Sequence, residues 1–310
     1  MSTAPILVTG GAGFIGSHLV DALLARGHTV RVLDNLSTGK RCNLADDPRV
    51  ELLVGDIADA NMVDGAVRGC AAVVHLAAVA SVQASVQDPL GTHRSNLVGT
   101  VVICEAMRKA HVKRIVYASS AAVYGNNGEG EAIDECMAPD PLTPYAADKL
   151  AGEHYLRFYR RKDDLEPVIF RFFNIYGPRQ DPSSPYSGVI SIFAERVKSG
   201  LPITVFGDGE QTRDFVYVGD LVQVLVQAIE KTDVPPEPMN VGLHRSTSLN
   251  ELLRVLRDVC GGLPPVKYEQ ARAGDIRHST ASNARLLRHY ELPDPPVGMR
   301  EGLGELLGQQ

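Results

Sequence analysis

Gly10-Gly11-Ala12-Gly13-Phe14-Ile15-Gly16 follows the apolar run 6–8 directly, and Leu19, Val20, Leu23 and Leu24 then recur at helical spacing before Gly27. Strand, glycine turn and helix in that order open a βαβ unit. Glycines permit a tight turn and close backbone approach, so a pyrophosphate can lie at the helix N-terminus, where free N–H groups and the dipole favour an anion. Asp34 ends the next strand, 18 residues beyond Gly16, where a carboxylate can accept both hydroxyls of an adenosine ribose. Its charge would repel a 2′-phosphate, which favours NAD over NADP, although Lys40 and Arg41 lie close by. The competing reading is an ordinary glycine-rich turn with Asp34 as a strand-end cap. Asp56 and Ile57, after the third strand, are placed to meet the adenine; a helix cap is an equally good reading of that aspartate.

Working outward, the runs 29–33, 50–54, 71–76, 114–118 and 168–173 read as buried strands, apolar on both faces as a helix-covered parallel sheet demands. Leu97, Val101, Cys104 and Met107 mark a helix between two of them. The expected class is α/β: a Rossmann-type doubly wound parallel sheet with a smaller C-terminal lobe. Residues 1–175 are expected to form the NAD-binding domain, with a segment near 213–243 returning to it, and 176–310 to form mainly the substrate lobe. Helical patterns within the second half cover 189–198, 221–230 and 249–259, among Gly and Pro punctuation such as Gly177-Pro178 and Gly207-Asp208-Gly209.

The chain has 310 residues, 44% apolar and 22% charged, in the range of ordinary globular proteins. With 31 Lys and Arg against 37 Asp and Glu, the net charge of −6 favours neither nucleic acid nor an anionic membrane as partner. No basic leader precedes the first apolar run and no uncharged run approaches a membrane span, so a cytoplasmic protein is expected. Five scattered cysteines (42, 70, 104, 136 and 260) without a C-x-x-C pair suit a reducing compartment and offer neither a disulfide framework nor a metal site.

Tyr145 and Lys149 stand four apart in a segment that reads as helical, which stacks them on one face. For a phenol of pKa about 10 to act as a base near neutrality, it needs about 4 kcal/mol of help. A cation at about 4 Å supplies about 4 kcal/mol at an effective dielectric near 20, so Lys149 with a positive nicotinamide would suffice. Alone, the pair is a common surface pattern. Context comes from Ser119-Ser120 at the end of a strand, where a parallel sheet opens to its ligand crevice and a hydroxyl can relay a proton to Tyr145. A capping serine is the bland alternative. His75 reads as a packed core histidine, Cys104 and Cys260 as small buried hydrophobes, and Glu129 to Glu135 as a solvated loop.

These features together resemble the extended short-chain dehydrogenase/reductase family and, within it, the UDP-hexose 4-epimerases. The match is carried by residues 9–16, Leu33-Asp34-Asn35-Leu36, His75-Leu76-Ala77-Ala78, 119–125, Tyr145 with Lys149, Arg171-Phe172-Phe173-Asn174-Ile175-Tyr176-Gly177-Pro178, and Gly207-Asp208-Gly209 through Arg213-Asp214. The resemblance implies a catalytic triad of Ser120, Tyr145 and Lys149. It implies NAD contacts at Gly10, Gly13, Phe14, Ile15, Gly16, Asp34, Asn35, Asp56, Ile57, Leu76, Ala77, Ala78 and Asn96, together with Tyr145 and Lys149. For a UDP-sugar substrate it implies Ser120, Asn174, Val189, Arg213, Arg272, Asp275 and Ser279. It also implies a homodimer through a four-helix interface built from 89–107 and 143–159.

Sibling dehydratases and decarboxylases carry an extra carboxylate where this chain has Ala121 and Ala122, which favours epimerisation. The segment 272–281 matches the stretch where, in the family, a bulky tyrosine restricts the pocket to UDP-glucose and UDP-galactose. Ser279 aligns with that gate, so UDP-N-acetylglucosamine and UDP-N-acetylgalactosamine are expected substrates alongside the plain pair; an exposed loop serine is the alternative. Two other functions share the cofactor residues: a net NAD-dependent nucleotide-sugar dehydrogenase or reductase, and a non-catalytic NAD-sensing protein.

Overall fold

The computed structural model describes residues 4–126, 131–181, 188–271 and 277–308. In chain order the elements begin β1 (Ile6–Thr9), α1 (Phe14–Ala25), β2 (Val30–Asp34), β3 (Val50–Val54), α2 (Ala60–Val67), β4 (Ala72–His75), α3 (Val82–Gln87), α4 (Pro89–His93) and α5 (Gly99–Ala110). A π-turn, Arg94–Val98, joins α4 to α5. There follow β5 (Arg114–Ser120), α6 (Pro144–Asp163), β6 (Glu166–Phe172), β7 (Asn174–Tyr176), α7 (Val189–Lys198), β8 (Ile203–Phe206), β9 (Thr212–Arg213) and β10 (Phe215–Tyr217). The chain ends with α8 (Val218–Glu230), β11 (Met239–Val241), β12 (Thr247–Ser248), α9 (Leu249–Cys260), β13 (Val266–Glu269), β14 (His278–Ser279) and α10 (Met299–Leu307).

Seven strands form one sheet in the order β11-β6-β5-β4-β1-β2-β3. The pairings of β1 with β2 and β4, of β2 with β3 and of β4 with β5 are parallel, as a doubly wound sheet requires. Its centre is fully apolar: Leu7, Val8, Val32, Val73, Ile115 and Val116 are buried, and helices α2 and α5 close over Leu7, Leu33 and Val73. The expectation of burial on both faces fails for β3, which is the sheet edge and has Val54 half exposed. Helix starts follow local chemistry. Asp59 caps α2 at Asn61 N and Met62 N, Thr143 caps α6 at Ala146 N with Pro144 in the first turn, and Ser248 caps α9 at Glu251 N.

Two compact units result. One holds the chain up to Val123 with Pro141–Arg171 and Val222–Met239; the other holds Tyr124–Asp140, Phe172–Leu221 and the chain from Asn240 onward. The returning segment is therefore shorter than the 213–243 read from sequence, and 124–140, read with the first domain, groups with the second unit. Side-chain hydrogen bonds account for that regrouping. The Tyr124 hydroxyl donates to Asn240 Oδ1 at 2.7 Å, Asn240 Nδ2 donates to the Ile133 carbonyl at 2.9 Å, and Ile133 forms an isolated bridge with Ala281. The described part of the acidic stretch is consequently no solvated loop. Ile133 is buried, and Glu135 accepts Asn240 N at 2.8 Å with Arg285 at 3.6 Å.

Candidate active site

In the first unit, the turn after β1 is bare backbone by necessity. Gly10 has φ +69°, and a Cβ on it would stand 2.9 Å from Ala77 N. A Cβ on Gly16 would stand 2.2 Å from the Gly10 carbonyl. No side chain can stand at Gly10 or Gly16, so a ligand's phosphates can approach the main chain there. Helix α1 starts at Gly13 with no side-chain cap, which leaves its first-turn amides, those of Phe14 and Ile15 among them, facing outward. Leu76 N donates to the Thr9 carbonyl at 3.2 Å and Ala77 N to Thr9 Oγ1 at 3.2 Å, so 76–78 is laid against the glycine turn.

Asp34 is buried at the end of β2, and its carboxylate accepts Ala12 N at 2.9 Å on one oxygen and Leu36 N at 2.8 Å on the other. Each carboxylate oxygen keeps a further lone pair, so the cap and the ribose readings are compatible. Asn35 is exposed, with Oδ1 accepting Ser37 N at 3.1 Å. The Asp56 carboxylate accepts Ala58 N at 2.8 Å, but the helix cap is Asp59, three residues later. Ile57 is buried beneath Gly99. Asn96, in the π-turn, is buried and clasps Val79, accepting its N–H at 2.8 Å and donating to its carbonyl at 3.1 Å. These residues fit a dinucleotide: an uncapped helix start, a clash-limited turn and a carboxylate at the strand end.

The carboxyl end of β5 and the first turns of α6 bring Ser120, Tyr145 and Lys149 together. Ser120 Oγ accepts Ala122 N at 3.1 Å and lies beside the Tyr145 phenol, so the serine caps locally as well as adjoining the tyrosine. Tyr145 is half-buried, Lys149 buried. The lysine ammonium donates to the Ala118 carbonyl at 2.7 Å and lies 5.9 Å from the Tyr145 ring centroid. Burial pushes the phenol pKa up, and the Ser120 hydroxyl opposes this. Burial pulls the Lys149 ammonium down to about 8, with the Asp148 charge acting against that fall.

Sequence reasoning passed over the buried layer beneath this triad. Glu153, one turn after Lys149, accepts Arg171 Nε at 2.9 Å and Nη2 at 2.7 Å, and Ser119 Oγ at 2.5 Å. The signal was present as a charged residue continuing the Tyr145–Lys149 face and an arginine inside an apolar strand. His75 is a core histidine, as read: Nδ1 meets Thr9 Oγ1 at 2.7 Å, Nε2 meets Thr100 Oγ1 at 3.0 Å, and burial holds its pKa down at about 3. Cys104 is buried on α5, its thiol pushed up to about 12 by burial, whereas Cys260 is only partly buried. Among the described residues no cluster of His, Cys, Asp or Glu could hold a metal, and no helix is long and apolar enough to cross a membrane.

In the second unit, β12, β9 and β14 form a small sheet whose register pairs Ser279 with Arg213. Ser279 is 8% exposed, which removes the exposed-loop reading. Arg213 Nη1 donates to the Thr212 carbonyl at 2.8 Å. Asn174 starts β7 and donates both N and Nδ2 to the Asp214 carbonyl, at 3.1 and 3.2 Å. Val189 opens α7, partly buried. Arg272 and Asp275 lie outside the described residues. Asp214, whose role sequence reasoning did not read, is the knot of this region. Fully buried, it accepts Leu243 N at 2.9 Å, Ala281 N at 3.1 Å and Arg245 N at 3.4 Å.

A protein-family model described as the NAD dependent epimerase/dehydratase family matches residues 6–242. The UDP-glucose 4-epimerase of Mycolicibacterium smegmatis is 40% identical over 304 residues, covering 96% of each chain. Among solved structures, the UDP-N-acetylglucosamine 4-epimerase of Methanobrevibacter ruminantium, in complex with UDP-N-acetylmuramic acid, superposes with a TM-score of 0.93 at 35% identity, covering 100% of this chain and 98% of that one. The Thermus thermophilus UDP-glucose 4-epimerase in complex with NAD gives 0.89 at 41% identity, with 98% of both chains covered.

Proposed function

Because the chain belongs to the NAD-dependent epimerase/dehydratase family, we propose that it interconverts the C4 epimers of UDP-sugars. The substrates of this reading are UDP-N-acetylglucosamine and UDP-N-acetylgalactosamine, with UDP-glucose and UDP-galactose also turned over. The observation that carries it is the meeting of Ser120 and the Tyr145 phenol beside a buried Lys149, with Ala121 and Ala122 where elimination chemistry would want a carboxylate. The 4-epimerases of both sugar types among its relatives support the same reaction.

Residues 10–16, Asp34 and 76–78 would hold the dinucleotide, and Asn96 would fix the loop through Val79. When bound, the nicotinamide supplies the hydride acceptor and donor for sugar C4. Tyr145 takes the 4-hydroxyl proton, directly or through Ser120, and returns it to the C4 oxygen once the 4-keto sugar has turned to present its other face for the returning hydride. The Lys149 ammonium, 5.9 Å from the phenol ring centroid, supplies part of the roughly 4 kcal/mol that the phenol needs. Ser120, donating to the phenolate, supplies further help. Asn174 and Arg213 are proposed to hold the diphosphate, with Val189, Arg272 and Asp275 at the nucleotide. Ser279, small and registered beside Arg213, leaves room for an N-acetyl group.

Val86, Leu90, Tyr155 and Phe158, at 62%, 82%, 42% and 47% exposure on α3, α4 and α6, suit a homodimer through paired helices. Sedimentation velocity tests that: a monomer at micromolar concentration removes it. For the reaction, purified protein is incubated with UDP-N-acetylglucosamine without added cofactor and the products are separated. Appearance of UDP-N-acetylgalactosamine is expected. In a parallel incubation with added NAD, reduced cofactor accumulating in step with sugar consumption would replace epimerisation by net dehydrogenation.

A further inference from the structure

Lys149 is a cation where a cation is costly. It is 4% exposed, its ammonium is held by one neutral carbonyl, that of Ala118 at 2.7 Å, and its other neighbours are the faces of Tyr117 at 5.1 Å and Tyr145 at 5.9 Å. A buried ammonium stays charged only if a counter-charge lies close. The surrounding elements can be taken in turn. On β4, His75 is neutral through its burial between Thr9 and Thr100. On β5, Tyr117 is a phenol that burial holds protonated. On β6, Arg171 is paired at both ends of its guanidinium fork with Glu153 of α6, and Glu153 takes Ser119 besides. That carboxylate is already matched by a cation of its own.

Besides Glu153, one buried carboxylate remains on these elements. Asp148, immediately before the lysine on α6, is 6% exposed. Its Oδ1 accepts Nδ1 of the half-exposed His93, the last residue of α4, at 2.8 Å, and its Oδ2 has no hydrogen-bond partner among the described residues. A buried carboxylate with an unsatisfied oxygen is itself unstable unless a positive charge is near. Successive helix side chains point roughly 100° apart, so the two groups do not touch as a contact pair. Their coupling runs through the low-dielectric interior, where charges act over several ångströms.

We propose that Asp148 is the counter-ion of Lys149: a carboxylate locked by His93 across α4 and α6, which keeps the ammonium charged and so serves as a positioning residue for the proton transfer at Tyr145. The counter-ion role deepens the epimerase reading and rests on it only for its catalytic consequence. Two buried ion pairs then stand on successive turns of one helix, Asp148 with Lys149 and Glu153 with Arg171. The first is open to solvent through His93, the second sealed.

The test is a titration of lysine ε-carbons by NMR in protein labelled with 13C-lysine, the Lys149 resonance being identified by its loss in Lys149→Arg. Replacing Asp148→Asn should lower the ionisation midpoint of Lys149 by roughly one unit, whereas His93→Gln, which keeps a donor for Oδ1, should leave it near the parent value. In activity, the alkaline limb of kcat against pH should move down with the Asn variant while KM for the UDP-sugar holds. A Lys149 midpoint unchanged in a folded Asn variant overturns the proposal, even if the enzyme epimerises normally. Should Asp148→Asn not fold, Asp148→Ser removes the charge with less bulk and is read the same way. A midpoint that falls in a protein that epimerises no UDP-sugar keeps the counter-ion and removes the epimerase reading instead.

Discussion

The two compact units organise their functional residues by different means. In the first, regular elements do the placing: β5 ends at Ser120, α6 stacks Tyr145 over Lys149, and α1 begins where the glycine turn ends. In the second, the strands are two to four residues long, and Asn174, Arg213 and Ser279 depend on one side chain, Asp214, for the loops around them. Long parallel strands and helices carry redundant main-chain bonding, so a site built on their ends tolerates loss of one contact. A site tied by a single buried carboxylate does not.

The sharpest break expected is Tyr145→Phe. It should lower kcat by roughly 10² to 10⁴, with NAD content and thermal melting close to the parent, since the phenol hydroxyl supports the reaction and no element depends on it. A variant of undiminished activity would remove Tyr145 as the acid–base group. Acid stability probes the same unit. His75 is held down at about 3 in the fold against an unfolded value near 6.5, so the unfolded chain binds the proton more readily. Stability from this residue is complete above about pH 6.5 and is lost as pH falls toward 3, up to roughly 5 kcal/mol. Urea midpoints measured down that range should fall less steeply in His75→Asn.

For the second unit, Asp214→Ala leaves three backbone amides without their acceptor and should cost about 3 kcal/mol or more, seen as a lower urea midpoint. UDP-sugar KM should rise while NAD content is kept; simultaneous loss of NAD would show that the contrast between the units is too strong. The smallest effect belongs to Ser279→Tyr. It should suppress turnover of acetylated sugars relative to UDP-galactose by at least the roughly 10- to 200-fold that a pocket's steric fit commonly yields. Equal turnover of both would end the gate assignment.

Legibility from sequence follows the same division. Strands of the large sheet and helices α1, α5, α6, α7 and α9 were readable because hydrophobic period and caps act locally, as with Thr143 and Pro144 before α6. The glycine turn and the Tyr145–Lys149 face were readable for the same reason. What escaped were tertiary bonds between residues far apart in sequence. Tyr124 meeting Asn240 draws 124–140 away from the first unit, Asp214 reaches Ala281, Glu153 meets Arg171, and His93 meets Asp148. The cap reading of Asp56 failed because two aspartates three apart both suit a helix start, and only the backbone decides for Asp59.

Lys149 also has a consequence for laboratory evolution. An ammonium drawn to about 8 from a free-chain 10.5 burdens the native state at neutral pH by roughly 3 kcal/mol. The burden falls as pH rises through about 8 and is gone above the free-chain value. A screen that rewards heat resistance alone will therefore favour apolar replacements at position 149 and return robust but inert proteins. Libraries aimed at hardening this scaffold should hold that codon fixed.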